Sequence, residues 1–437
     1  MGHLSTTVIR GALRATGALV LAFALVAAGG AGLSAQAKTV IEWWDDHSYE
    51  QLEAFQEVIA LFEERNPDIE VRLSLVEPGV YYDRLAISFV SGVGPDIFYL
   101  HDFQAAPWHS RGYTTDLEPY LANSDYDVSE IWPAKIPLMS LDGKLHGLPY
   151  DWSLIGLYYN ARLFDEHGVP YPDESWTWHA LADLGRQFRL NDASGNQIRW
   201  GYAPFPINWG GWNVFGELNS FGASLFSEDG RSATVNSTAT EEYLRFMHEL
   251  RLSGVTPYRV QSEGISEYQL FTQGTVAMMS NGSWAMLGFE QVDFEWNVTY
   301  QPSGPAGRWV TATGGHYAIS SASEKKDAAW AFLQFLAGPE AQYIMNVKHF
   351  RSLPGLRSAA IEWADAALLG DGPSGSVAFV EMAQHHAVGV PAVPYWTMVA
   401  PTVMSAFSQV FEGEIAPGQA MEQLETAIEA AIARTMR

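Results

Sequence analysis

Residues 39–100, TVIEWWDDHSYEQLEAFQEVIALFEERNPDIEVRLSLVEPGVYYDRLAISFVSGVGPDIFYL, decide the fold. Thr39 to Trp44 is a short β-prone run, closed by the turn-like cluster Asp45-Asp46-His47-Ser48. Ser48 with Gln51 fits a capping box, and Leu52, Phe55, Ile59 and Phe62 recur at steps of three and four. That spacing predicts an amphipathic helix ending near Asn66-Pro67. Ile69, Val71, Leu73 and Leu75 then alternate with other residues as a strand does, Tyr82 to Val90 reads as helix until Gly92-Val93-Gly94-Pro95 breaks it, and Asp96 to Leu100 makes a third strand. Strand, helix, strand, helix, strand is the α/β alternation that builds a parallel sheet with helices on its faces. Ligands of such sheets sit beyond the carboxyl ends of the strands. Trp44, Asp45, Asp46 and His47 follow the first strand and His101 and Asp102 the third, so they are expected to share that edge.

Working outward, 437 residues with 47% hydrophobic and 17% charged side chains have room for more than one core, since single cores stop growing near ~250–300 residues. Fifty acids against 25 bases give a net charge of −25, which repels phosphate backbones and anionic headgroups and argues against nucleic acid or a membrane surface as partner. The absence of cysteine excludes disulfides, thiolate metal sites, Cys nucleophiles and a lipid-modified cysteine. Residues 1–37 read as a cleaved secretory signal: Arg10 and Arg14, an apolar stretch from Ala15 to Ala28, then Ala35-Gln36-Ala37 before Lys38. The stretch is shorter than the ~20 residues of a spanning helix. The expectation is a free periplasmic protein with no lipid anchor.

Further along, Asp142-Gly143 predicts a hairpin-like turn ahead of the apolar run Leu154 to Tyr159. Helices are expected at Trp176 to Phe188, Ala328 to Leu336 and Gln419 to Ile432. Asn191 to Asn196 is a polar turn without the acidic spacing of a calcium loop.

The chain resembles the family 1 extracellular solute-binding proteins, the sugar receptors of ABC importers that include maltose-binding protein. The blocks occur in order over nearly all the mature chain: FEERNPDIEV at Phe62–Val71, GPDIF at Gly94–Phe98, Asp142-Gly143-Lys144 through Gly147-Leu148-Pro149 with Leu157-Tyr158-Tyr159-Asn160, FTQGTVAMMSNGSW at Phe271–Trp284, GGHYAIS at Gly314–Ser320, and the helix around Ala329-Trp330-Ala331-Phe332-Leu333. The resemblance implies a two-lobe periplasmic binding protein of type II, a Venus flytrap with a hinge. Its first lobe would comprise 38–151 and 314–357, its second 152–313 and 358–437. The partners implied are a carbohydrate in the cleft and the membrane permease of the importer, with the receptor itself a monomer and no cofactor or metal.

A pyranose offers hydroxyls at its rim and C–H patches on its faces, so its site needs flat aromatic rings and charged acceptors. Of 16 Trp, six fall beside turns, at strand ends or at positions the resemblance marks: Trp44, Trp152, Trp209, Trp212, Trp284 and Trp396. Trp43, Trp108, Trp132 and Trp330 are expected in cores. Asp46, Asp102 and Asp151 are the candidate acceptors, because a hydrogen bond to a charged group is worth roughly 1.5–3 kcal/mol. Arg351 could donate to a ring oxygen, and Gly315 and His316 lie where the resemblance puts a lobe crossing.

Other chemistries fit less well. An exported glycosidase would also combine aromatic rings with two carboxylates, yet no feature fixes such a pair. Ser323 and Lys326 have the S-x-x-K spacing but precede an Ala-rich helix as cap and surface. His385-His386 lacks a third zinc ligand pattern, and Gly92-Val93-Gly94 lacks the third glycine of a nucleotide loop. Within the binding class, a glycerol phosphodiester or other polar solute would want an arginine cluster, of which only Arg351 stands out.

Overall fold

The computed structural model describes residues 37–47, 51–206, 212–257, 264–349, 352–369 and 374–435. They build two main sheets, each with its own hydrophobic core. β1 (Thr39–Asp45) lies between β2 (Ile69–Leu75) and β3 (Ile97–His101), all parallel. The crossovers are α1 (Leu52–Arg65) and α2 (Pro78–Ser91). α1 buries Ala54, Phe55, Val58 and Phe62 and stops at Asn66, where the spacing puts its end. Ser48, half of the expected capping box, lies outside the described residues. α2 begins at Pro78 rather than Tyr82, because proline's fixed φ and missing N–H suit a first turn. β3 runs one residue beyond its expected end, so His101 is the last strand residue and Asp102 opens α3 (Asp102–Ser110) directly.

The first sheet is completed from far along the chain. Its order is β2-β1-β3-β13-β6, with β13 (Gly315–Ile319) antiparallel to both β3 and β6 (Leu148–Pro149). Ahead of β6, β4 (Ser140–Leu141) and β5 (Lys144–Leu145) form the hairpin expected at Asp142-Gly143. Those two residues have φ of 52° and 78°, the left-handed pair of a tight two-residue turn.

The second sheet centres on β7 (Ser153–Asn160), buried at every position. Its order is β14-β12-β7-β10-β9-β8, where β8 is Leu190–Asn191, β9 Gln197–Ala203, β10 Val276–Gly282, β12 Val310–Thr313 and β14 Ala387–Gly389. β11 (Trp296–Thr299) also pairs with β7. The helix expected over Trp176 to Phe188 is Trp178–Gly185 plus a single tight turn, and the other two are Lys326–Leu336 and Pro417–Thr435. Asn191 to Asn196 is the β8–β9 turn, in which Asp192 Oδ1 accepts from the Ser194 and Asn196 N–H groups.

Three segments pass between the sheets side by side. The Tyr150 N–H donates to the Gly315 carbonyl at 3.0 Å and the Trp152 N–H to the Leu353 carbonyl at 2.8 Å. Trp43, Trp108, Trp132 and Trp330 are all at most 8% exposed, as core residues should be. Trp43 meets Phe55, Tyr317 and Phe332 edge-on at 5.0–5.5 Å, the geometry ring quadrupoles favour. Trp132, Leu138 and Phe103 join the second core although they precede the first crossing.

Candidate functional site

The end of β1 and the end of β3 meet, as parallel neighbours must. Asp46 Oδ2 lies 3.0 Å from His101 Nε2, and the Tyr82 hydroxyl oxygen accepts from the His101 N–H at 2.9 Å. Burial, the largest single influence, pulls the His101 imidazolium down, but Asp46, with Asp151 and Asp102 behind it, more than offsets this and raises its pKa above the ordinary value. Asp45, Asp46 and His47 bring their ligand atoms within 4.8 Å of one another. Asp45 is already committed: Oδ2 accepts from the Tyr317 hydroxyl at 2.6 Å, and Oδ1 lies 2.5 Å from His47 Nδ1.

From His101 a line of rings runs to the second sheet. His101 stacks on Phe103 at 5.1 Å, Phe103 on Trp212 at 6.3 Å, both near 23°, and Trp212 meets Trp284 at 6.2 Å and Phe205 at 5.4 Å. Trp284 follows β10. Its ring folds back over Gly282, where any Cβ would sit about 2.1 Å from the indole, so only glycine lets the ring lie there. Behind Phe205 lies a small void of about 10 Å³ whose wall includes Asn213, Glu217, Gln301 and Thr311. Burial pushes the Glu217 carboxyl up to about 7 against the 2.6 Å hydrogen bond it accepts from Tyr243. A larger open pocket, about 330 Å³, is lined by Phe221, Glu241, Arg245 and Phe246 and shares no residue with the line of rings.

The residues expected from the sequence separate into two groups. Asp46, Trp212 and Trp284 lie on or beside the line of rings. Trp44 is half-buried against the first core, and its carbonyl lies 3.4 Å from the Tyr81 hydroxyl. Trp209 and Arg351 lie outside the described residues. The others are buried and engaged in interior contacts. Asp102 is not a free acceptor: its side chain is fully buried, with Lys135 Nζ at 2.6 Å on Oδ2 and His316 Nδ1 at 2.9 Å on Oδ1. Burial pushes its carboxyl up most, yet Lys135 and His316 together hold it below the usual range. Asp151 knots the crossings, Oδ2 accepting from Ser153 and Ser352 and Oδ1 from the Gly315 N–H at 2.8 Å. Gly315 is glycine because a Cβ there would sit 2.1 Å from the Tyr99 ring. His316 is fully buried, and Trp152, also fully buried, lies under Lys135 with Nζ 5.2 Å from its ring centre. Trp396 is 2% exposed between Phe215 and Phe226, because it opens the helix Trp396–Glu412 on the face that buries Val399, Ala400 and Val403.

Sequence reasoning missed Phe103, Phe205, Lys135 and Glu217 as contributors. Phe103 had a signal, a ring next to a strand-end Asp. Lys135 had none.

Residues 47–343 match the family described as bacterial extracellular solute-binding protein, and the chain belongs to that family. It is 24% identical to the galactooligosaccharide-binding protein of Bacillus subtilis over 87% of this chain and 86% of that one. It is 28% identical to the mannitol-binding protein of Pseudomonas aeruginosa over 63% and 64%. An ABC substrate-binding protein from Listeria monocytogenes, solved in complex with cycloalternan, superposes with a TM-score of 0.80 at 26% identity, covering 91% of this chain and 99% of its own. A solute-binding protein from Thermotoga lettingae bound with α-D-tagatose gives 0.77 at 21% identity, over 90% and 100%. The family and these neighbours are binding proteins, and the two-lobe fold is theirs. No described helix is long and apolar enough to cross a membrane.

Proposed function

We propose that the chain is the exported receptor of an ABC importer and encloses a neutral carbohydrate between its two sheets. The observation that carries this is the line His101–Phe103–Trp212–Trp284, in which rings from the first sheet's edge meet rings from the second, beside the Asp46 carboxylate. Stacked rings suit the C–H faces of a sugar and Asp46 its hydroxyls; Trp44 completes that edge, with Trp209 and Arg351 kept as candidates from the sequence. The sugars named for the relatives support the same ligand class. A solute that touches both halves gains contacts only when they close, so it shifts the open–closed balance by its differential affinity alone. The permease then reads closure.

The lobes are assigned as 38–151 with 314–357 and 152–313 with 358–437, and residues 1–37 as the signal removed on export, leaving a monomeric periplasmic protein. N-terminal sequencing of the exported protein should begin at Lys38. A thermal-shift panel of lactose, maltose, galactooligosaccharide, mannitol and glycerophosphodiesters tests the ligand class. A true ligand at a hundred times its Kd stabilises by about 2.7 kcal/mol. Stabilisation by a phosphodiester and by no sugar overturns the reading, as does recovery of the sugar in cleaved form.

A further inference from the structure

Behind the His101–Phe103 edge lies a buried polar chain that the ligand does not need to touch. Lys135 Nζ and His316 Nδ1 hold the two oxygens of Asp102 at 2.6 and 2.9 Å, and all three side chains are fully buried. His316 Nε2 lies 3.3 Å from His109 Nε2, the two rings stacked at 5.3 Å. His109 Nδ1 lies 2.9 Å from Thr114 Oγ1, which is 3.0 Å from His146 Nδ1. One anion and one cation balance, so a further buried charge would stand uncompensated and the imidazoles are neutral.

Neutrality fixes every proton. The Asp102 carboxylate can only accept, so His316 carries its proton on Nδ1 and leaves Nε2 bare. His109 must then donate from Nε2, and its bare Nδ1 takes the Thr114 hydroxyl proton. Thr114 oxygen in turn accepts from His146 Nδ1–H. We propose that His146, Thr114, His109 and His316 form a one-way hydrogen-bond relay ending on Asp102, which makes His109, His316 and Lys135 positioning residues for the adjoining His101 and Phe103. The functional half rests on the reading that those two rings line the ligand cleft; the relay itself does not.

The surroundings agree. Burial, then the neighbouring His316 and His146, drives the His109 imidazolium down to about 2, with the Leu138 carbonyl as the one influence favouring it. Burial also lowers His316, against Asp102, with Lys135 and His101 adding to the fall. At the outer end burial lowers His146, opposed first by its hydrogen bond to the Thr114 backbone and then by Asp116 and Asp142, with Lys144 assisting the fall.

Long-range proton–nitrogen spectra of the ¹⁵N-labelled, sugar-free protein test the relay. Expected at about pH 7 are neutral rings, His316 as the Nδ1–H tautomer and His109 as Nε2–H; the opposite tautomer or an imidazolium at either position overturns it. Two variants test positioning. His109→Gln keeps a donor where Nε2 stands, whereas His109→Asn keeps polarity and loses that donor. The reporter is the His101 titration, set by Asp46 with Asp102, Asp151, Tyr82 and Tyr99 around it. It should be unchanged in His109→Gln and should fall towards the free-imidazole value in His109→Asn. An unaltered His101 titration in a folded His109→Asn protein rejects the positioning role. If neither variant folds, the wild-type tautomers still decide the relay, and a failure of every sugar to bind would leave these spectra as expected.

Discussion

The two sheets bring different chemistry to the place where they meet. The first presents a carboxylate and an imidazole, Asp46 and His101, held 3.0 Å apart at adjacent strand ends. The second presents indoles, Trp212 and Trp284, from a loop and from the residues after β10. Position within a sheet explains the contrast. Parallel strands end together and gather whatever polar residues follow them, whereas the second sheet's strands are mixed in direction and leave its rings to flanking loops. Recognition by such a pair should divide accordingly, hydroxyl selection on one side and face stacking on the other.

The sharpest way to break this division is Trp396, an indole of the second half that lies in its core. Trp396→Ala should cost about 3–5 kcal/mol in urea unfolding and leave sugar affinity nearly untouched where the protein is folded. A large affinity loss without destabilisation would return Trp396 to the cleft. Next, the double variant Trp212→Ala with Trp284→Ala should weaken binding by about 100-fold in titration calorimetry while the fold persists. Unchanged binding would remove the aromatic half of the comparison. Asp46→Asn, on the polar side, should lower affinity by about tenfold and favour ligands with fewer hydroxyls. The smallest effect concerns Glu217, whose folded pKa of about 7 lies above its unfolded value. The folded state therefore holds the proton more tightly, and its contribution is present at pH 4 and lost as pH rises through 7. The melting temperature should fall over that window in the wild type and fall less in Glu217→Gln.

Much of the first sheet was legible because it is local: Leu52, Phe55, Ile59 and Phe62 announce a helix between two alternating strands, and parallel pairing follows. The second sheet was not, since β7 pairs with β10 on one side and β12 on the other, both more than a hundred residues further along the chain. The site shows the same divide. Asp46 could be placed from its strand end alone. Asp102 could not be recognised as an interior ion, because its partners Lys135 and His316 are 33 and 214 residues away. The burial of Trp396 was not legible either, because the inward face of its helix appears only once the helix is drawn on from its first residue.

The placement of β13 between β3 and β6 also governs when the protein can be made whole. A nascent chain emerging from its amino end can form β1, β2 and β3 early, yet the gap beside β3 stays open until Ile319 has appeared. Until then the first half has an unpaired flank and cannot reach its final stability.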